Sequence, residues 1–252
     1  MTSSVRPARA EDADFLAWAI LTAGRAHLGL GWYDISLGGT EAGRLGILRR
    51  LVQGERSWWR YDRWLVAEVD GAPAGALAAF GSGLFETSET AMARVLGGLG
   101  WTPAQIADVW RRGAYVFTCT VNPPPGELWT IENVAVRPEH RGQGIAGQLL
   151  AAALERGRAE GFDEAQISFV IGNLPAEQAY AKAGFRPADE RCHPAFEAAC
   201  GAPGLKRFTR PSSSAYPSMR PATPWPRWSG LTATFSMVQS SGPCAGVVQL
   251  KT

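Results

Sequence analysis

The stretch WTIENVAVRPEHRGQGIA, residues 129–146, decides how the rest of the chain is read. Its first half, Trp129–Val136, is an apolar run of strand length. Its second half is a turn through Arg141-Gly-Gln-Gly-Ile-Ala146 that runs into an amphipathic helix from about Gly142 to Ala159, with Ile145, Leu149, Ala153 and Leu154 on one face. Glycines let a backbone approach a ligand closely. The first amides of a helix have no intrahelical acceptor and sit at the positive end of its dipole. A glycine-rich turn at that place is a pyrophosphate site in the making. The same residues would also serve as an ordinary tight turn, and glycine content alone would favour that. Their position between an apolar strand and an amphipathic helix favours the phosphate. The spacing is not a dinucleotide fingerprint, which needs a ribose-binding acid further on, nor a P-loop, which needs Gly-Lys-Ser/Thr.

Working outward, a strand at residues 166–171 and a short helix at 175–183, stopped by Gly184, repeat the strand–helix alternation. Further strands fit 185–191 and 204–209. Upstream, residues 5–8 read as a short edge strand and 10–23 as a helix with Glu11 and Asp12 in its first turn. Residues 26–39 are glycine-rich and read as irregular; 41–51 read as a helix. Apolar runs at 64–69 and 75–80 flank Asp70-Gly-Ala-Pro73, a hairpin signal. Residues 81–128 read as an insertion carrying helices near 89–96 and 103–112, the second opened by a capping box, Thr102-Pro-Ala-Gln105. The expectation is an α/β fold with crossover helices. Residues 211–252 contain no Asp or Glu and many Pro and Ser. They read as a flexible or atypical extension, with one strand fitting 231–238.

The segment from Asn133 to Ala146, NVAVRPEHRGQGIA, resembles the acetyl-CoA motif of the GNAT (Gcn5-related N-acetyltransferase) superfamily, whose Q/R-x-x-G-x-G/A falls on Arg141, Gly144 and Ala146. A second segment, NLPAEQAYAKAGF from Asn173 to Phe185, resembles the family's N-x-x-A-x-x-x-Y-x-K-x-G-F, and VRPARAEDA from Val5 to Ala13 resembles its opening. Two ordered motifs are more specific than either alone. The resemblance implies a mixed central sheet of about six or seven strands flanked by helices, over a domain of residues 1–210. It implies acetyl-CoA as acyl donor, held by Arg141, Gly142, Gln143, Gly144, Ile145 and Ala146 through loop amides and by Val134, Ala135 and Val136 through strand backbone. It also implies direct transfer to an amine in a ternary complex, the acceptor being a small molecule or a peptide; a homodimer stays open.

Within that resemblance Tyr180 takes the place of the tyrosine that protonates the departing thiolate, against the plainer reading that it packs a helix face. Asn173 fits either a CoA contact or a helix cap. Glu132 is an ionisable group amid Trp129, Ile131, Val134 and Val136, which is costly without purpose or partner. It fits a general base for the amine or a paired or solvated strand carboxylate. The competing class is a non-catalytic acyl-CoA-binding sensor or scaffold on the same fold; a third reading changes the donor to a longer acyl-CoA.

The 252 residues, 46% hydrophobic and 19% charged, are those of a globular chain. A net charge of +2 gives no nucleic-acid footprint. No apolar run approaches the roughly 20 residues of a membrane span, and the start lacks a secretion signal, so a cytoplasmic protein is expected. The four cysteines form no CxxC pair, and with three histidines no metal site is expected; the cysteines read as free thiols.

Overall fold

Every second residue of the central hairpin decides which of two cores it joins. In β2 (Trp64–Val69) and β3 (Ala72–Gly81), Trp64, Val66, Ala76, Ala78 and Phe80 belong to one buried cluster. Leu65, Ala67, Val69, Leu77 and Ala79 belong to another. Side chains of a strand alternate between faces, so a strand covered on both sides has no polar alternation left. That is why these runs read as continuously apolar. The computed structural model that shows this describes residues 2–211, apart from 122, 124 and 125. The expected extension at 211–252, with the strand at 231–238, lies outside the described residues except for Pro211.

The first face is covered by α1 (Ala13–Arg25) and α3 (Glu41–Gln53), through Leu16, Ala19, Ile20, Leu48 and Leu51. The second is covered by α6 (Ile145–Ala159), through Ile145, Leu149, Leu150 and Ala153, joined by Tyr180 of α7 (Leu174–Lys182) and by Phe185. Seven strands form one sheet: β1 (Ser3–Pro7), β2, β3, β4 (Trp129–Val136), β5 (Glu164–Val170), then β7 (Gly204–Pro211) and, at the edge, β6 (Arg186–Cys192). β4 and β5 are parallel, as a crossover through α6 requires. The other neighbours are antiparallel. The sheet is therefore mixed, with a single crossover unit at its centre.

Local chemistry explains most boundaries. Asp70 and Gly71 have φ of 50° and 81°, so the turn has two residues and β3 starts at Ala72, earlier than the run at 75–80 suggests. The capping box of α5 (Pro103–Gly113) is formed: Gln105 N donates to Thr102 Oγ1 at 3.3 Å and Thr102 N to Gln105 Oε1 at 2.8 Å. The preceding α4 (Phe85–Gly98) is the other helix of the expected insertion and starts earlier than residues 89–96 suggest.

Two helices were not expected. The glycine-rich stretch contains α2 (Trp32–Leu37), where Gly31 N donates to Asp34 Oδ2 at 3.0 Å. Asp34 also accepts from Arg25 at 2.7 Å and lies 3.0 Å from Arg44 Nη2. Burial alone would raise the Asp34 pKa; the Arg25 hydrogen bonds and the Gly31 amide outweigh that and hold it below the ordinary carboxylate value. Gly31 is required sterically, since a Cβ there would lie 2.1 Å from the Gly24 carbonyl oxygen. The other is α8 (Pro194–Cys200), with proline in its first turn and Gly201 at φ 80° beyond its end. His193 caps it by accepting from Ala195 N at 3.1 Å. Cys119 and Cys200 are free thiols, as expected. Among the described residues no helix is long and apolar enough to cross a membrane.

Candidate active site

The site begins where the sheet comes apart. β4 and β5 pair at Trp129↔Ala165, Thr130↔Gln166 and Ile131↔Ile167, and the ladder stops there. Both strands continue. β5 stays paired with β7 through Ser168, Phe169 and Val170, and β4 stays paired with β3 through Ala135 and Val136. Each wall of the split is thus anchored by its other neighbour, which keeps the split open. The cause of the divergence is a bulge in β4. Ala78 faces Glu132 and Ala76 faces Ala135, so Asn133 and Val134 together stand opposite Leu77. Asn133 has φ 55°, a conformation asparagine tolerates better than most residues. An extra residue bends and twists its strand; here the bend carries residues 132–136 away from β5. The last closed rung is pinned by Gln166 Nε2, which donates to Thr130 Oγ1 at 3.1 Å.

A cleft of about 1090 Å³ fills the split and runs on to either side of it. Ten further expected residues line it together with Glu132: Val134, Ala135, Val136, Arg141, Gly142, Gly144, Ile145, Ala146, Asn173 and Tyr180. Gln143 is set apart from them. Its Nε2 turns back to donate to the Glu139 carbonyl at 3.0 Å, and it does not line the cleft.

At one end of the cleft the loop before α6 carries Gly142 at φ 76° and Gly144 at φ 80°. Gly144 is the N-cap, in the left-handed region, and no side chain caps the helix. The first helical hydrogen bond to reach back to it is Gln148 N to Gly144 O, at 3.1 Å. The amides before Gln148 at this helix start therefore lack a helical acceptor, and they belong to residues on the cleft wall. A Cβ at Gly142 or Gly144 would meet no atom within 4 Å, so it is the backbone conformation, and the open space over it, that calls for glycine. Arg141, Lys182 and Arg210 bring positive charge to the same cleft. This arrangement fits a polyphosphate group: unpaired amides, a helix dipole and cations face one space.

Between the two ends, Glu132 and Tyr180 both line the cleft, close enough for the Glu132 charge to act on the phenol. Glu132 has neither a hydrogen-bond nor an ion-pair partner among the described residues. Water reaches part of it, yet the surrounding walls displace most of its hydration shell, and burial pushes its pKa up to about 7. Tyr180 is buried at 6% exposure, packed edge-on against Phe169 with centroids 5.4 Å apart. Burial raises its phenol pKa, and the Glu132 charge raises it further. The same two causes raise Tyr33, although its bond with Trp59 works the other way. A single carboxylate thus lies electrostatically close to two phenols from opposite ends of the chain.

Asn173 has a structural task. Its Oδ1 accepts from Ala176 N at 3.4 Å and caps α7. Sequence reasoning did not single out Tyr33, Trp58, Trp59, Tyr115 or Phe117 as one wall of the cleft. A Trp58-Trp59 pair reads in sequence as core packing as readily as a pocket wall, and no spacing rule joins it to Tyr33. Among the described residues no group of three His, Cys, Asp or Glu side chains is placed to hold a metal.

The acetyltransferase (GNAT) family model matches residues 44–185 of the chain. The structure is similar to a crystal structure of an acetyltransferase, with 19% identity and a TM-score of 0.61, over 83% of this chain and 100% of that one. It is similar also to the crystal structure of an N-acetyltransferase from Staphylococcus aureus Mu50, with 19% identity and a TM-score of 0.61, over 82% of this chain and 100% of the other. At such identities the likeness speaks for the fold. No curated protein matches the chain. The family match spans more than half of the 252 residues, it contains the bulged strand, the glycine turn and Tyr180, and by it the chain belongs to the acetyltransferase (GNAT) family.

Proposed function

We propose that the protein is an N-acetyltransferase that moves an acetyl group from acetyl-CoA to an amine by direct transfer within a ternary complex. One observation carries the reading: an unpartnered carboxylate, Glu132, and a buried phenol, Tyr180, share a cleft whose one end is a row of free amides at a helix start. Bound acetyl-CoA supplies an activated acyl group as a thioester. Gly144, Ile145 and Ala146 offer their amides to the pyrophosphate, with Arg141 adding charge. Residues 134–136 of β4, unpaired on the side toward β5, offer backbone groups to the pantetheine arm.

Glu132 holds the amine and accepts its proton, which leaves the nitrogen lone pair free to attack the thioester carbonyl. A carboxylate whose pKa is near 7 is an effective base at neutral pH, because it is substantially ionised and still basic enough to take a proton. As the C–N bond forms and the C–S bond breaks, the Tyr180 hydroxyl donates its proton to the departing sulfur, and the surplus proton of the acylated nitrogen restores the phenol as the amide forms. Its raised pKa keeps the phenol protonated until a thiolate needs the proton. The β4 backbone facing the cleft stabilises the negative charge that develops on the thioester oxygen, since its dipoles are already oriented. We assign this chemistry to a domain of residues 1–210, with 211–252 as an extension.

The direct test is calorimetric binding of acetyl-CoA to the full chain, followed by CoA-thiol release on a panel of primary amines. Micromolar binding and amine-dependent thiol release are expected. Absence of acetyl-CoA binding at millimolar concentration would defeat the proposal.

A further inference from the structure

The cleft continues past Glu132 into a half with a different chemistry. Its wall is aromatic: Trp32 and Tyr33 from α2, Trp58 and Trp59 ahead of β2, Tyr115 and Phe117 after α5. These rings come from three separate segments, and the four of Trp32, Tyr33, Trp58 and Trp59 are held in place by their own bonds and ring contacts. Trp59 Nε1 donates to the Tyr33 hydroxyl at 2.7 Å, and Trp58 packs on Trp59 with centroids 4.6 Å apart. Trp32 Nε1 donates to the Gly113 carbonyl at 3.0 Å and meets Tyr33 edge-on at 5.1 Å. Gly113 has no side chain to obstruct this, and a Cβ there would lie 2.5 Å from the indole nitrogen. The wall is therefore preformed, with little side-chain entropy left to lose when a ligand binds.

Charge in this half is sparse. Among the residues lining the cleft the carboxylates are Glu132, inside, and Glu89, in an exposed position. The mouth is apolar as well: Leu30 is 56% exposed and Phe117 46%, and both open on the same cleft. A single exposed apolar side chain means little, but two at the rim of one aromatic cleft form part of a contact surface. Tyr33 adds direction. An indole N–H only donates, so the Tyr33 oxygen accepts from Trp59 and its own proton remains for a partner in the cleft.

We propose, building on the acetyltransferase reading, that the acceptor is a monoamine: one primary ammonium, directed to Glu132, on a flat apolar body lying against the Tyr33, Trp58 and Phe117 wall. A cation is attracted to aromatic faces, and an apolar body gains from leaving water. A polyamine or an aminosugar would bring further ammonium and hydroxyl groups against indole and phenol rings. Among the described residues Glu89 is the one further carboxylate lining the cleft, and attraction to a ring face offsets only part of the hydration that each unpaired ammonium loses.

The test uses the full chain and reads donor and acceptor separately. Acetyl-CoA binding is measured first, by calorimetry without acceptor. CoA-thiol release is then compared for tryptamine and 2-phenylethylamine against spermidine and kanamycin. The aromatic monoamines are expected to have kcat/KM at least about tenfold above the polycations. Phe117→Ser, at an exposed position where folding is not at stake, is expected to raise KM for tryptamine about tenfold while acetyl-CoA affinity stays the same. Acetyl-CoA binding together with a preference for spermidine or kanamycin, or with turnover of neither class, overturns the monoamine acceptor and leaves the donor assignment standing. An unchanged KM in Phe117→Ser also overturns it. Failure to bind acetyl-CoA defeats the transferase reading, and this inference with it.

Discussion

The two halves of the cleft are built on opposite plans. The end at α6 is made of backbone: amides without acceptors, presented by a turn in which Gly142 and Gly144 hold positive φ. Its whole geometry is contained in a few consecutive residues. The far end is made of side chains, with Tyr33 and Trp59 separated by 26 positions yet joined by a hydrogen bond, and Trp32 bonded to a carbonyl 81 positions away. A backbone site recognises what all ligands of a class share, because every residue has an amide. A side-chain site recognises what distinguishes them. On the proposed function, one cleft combines a donor end fixed by backbone with an acceptor end set by side chains, and Glu132 and Tyr180 stand at the junction.

Variants that strike one half and spare the other test that division. The largest effect is expected at the junction. Tyr180→Phe keeps the ring on Phe169 and removes the proton, so kcat should fall roughly 10²-fold while acetyl-CoA affinity stays near that of the wild type. Equal turnover by the two proteins on a working acceptor would reduce Tyr180 to a packing residue.

Glu132→Gln should separate chemistry from stability in opposite directions. The wild-type rate should rise with pH through about 7 as Glu132 ionises, and the variant should lose that limb. Folding behaves the other way. The folded pKa lies above the unfolded value, so the stability associated with protonated Glu132 is complete below about pH 4 and is lost as pH rises through 7. Glutamine stays neutral, and at pH 8 the variant should be more stable than wild type by on the order of 2 kcal/mol, allowing for water in the cleft. Denaturant unfolding at pH 4 and pH 8 measures this; a variant that is less stable at pH 8 would mean that Glu132 has a structural partner.

At the backbone end, Gly144→Val forces a β-branched residue toward φ 80° and is expected to weaken acetyl-CoA binding about tenfold or more, the strain being ~1–2 kcal/mol. The amine selectivity of whatever turnover remains should be unchanged. A shift in selectivity would show that the two ends are coupled.

The smallest effect is expected behind the aromatic wall. Asp34→Asn weakens the ion pairs that hold α2, but Arg25 keeps Glu41 and Arg44 keeps the carbonyls of Gly38 and Gly39. A loss of about 1 kcal/mol in stability follows. Because Asp34 is held below its ordinary pKa, the wild type's advantage should be full above about pH 4 and vanish as pH falls through the folded value. If the advantage persists in acid, the Asp34 ion pairs are not what holds α2.

What the sequence determined by itself is what depends on neighbours along the chain. The extent of β4, the Asp70-Gly71 turn, the Thr102 box and the glycine turn before α6 all follow from φ preferences and hydrogen bonds across a few residues. The family's first motif lies in β4 and the glycine turn, and its second, Asn173 to Phe185, is one short capped helix and the turn after it. The helix at Trp32–Leu37 escaped notice because glycines around it signal irregularity; Gly31 is there so that the backbone can pass Gly24, a contact that exists only once the chain has folded. The bulge at Asn133 needs β3 as its partner before it counts as a bulge, and the split needs β5 to end its pairing at Ile167. Glu132 shows the difference within one residue. Its place in a strand was legible, whereas its pKa near 7 and its closeness to both Tyr33 and Tyr180 come from the walls that tertiary packing sets around it, because desolvation and Coulomb interaction depend on distance in space and not on position along the chain.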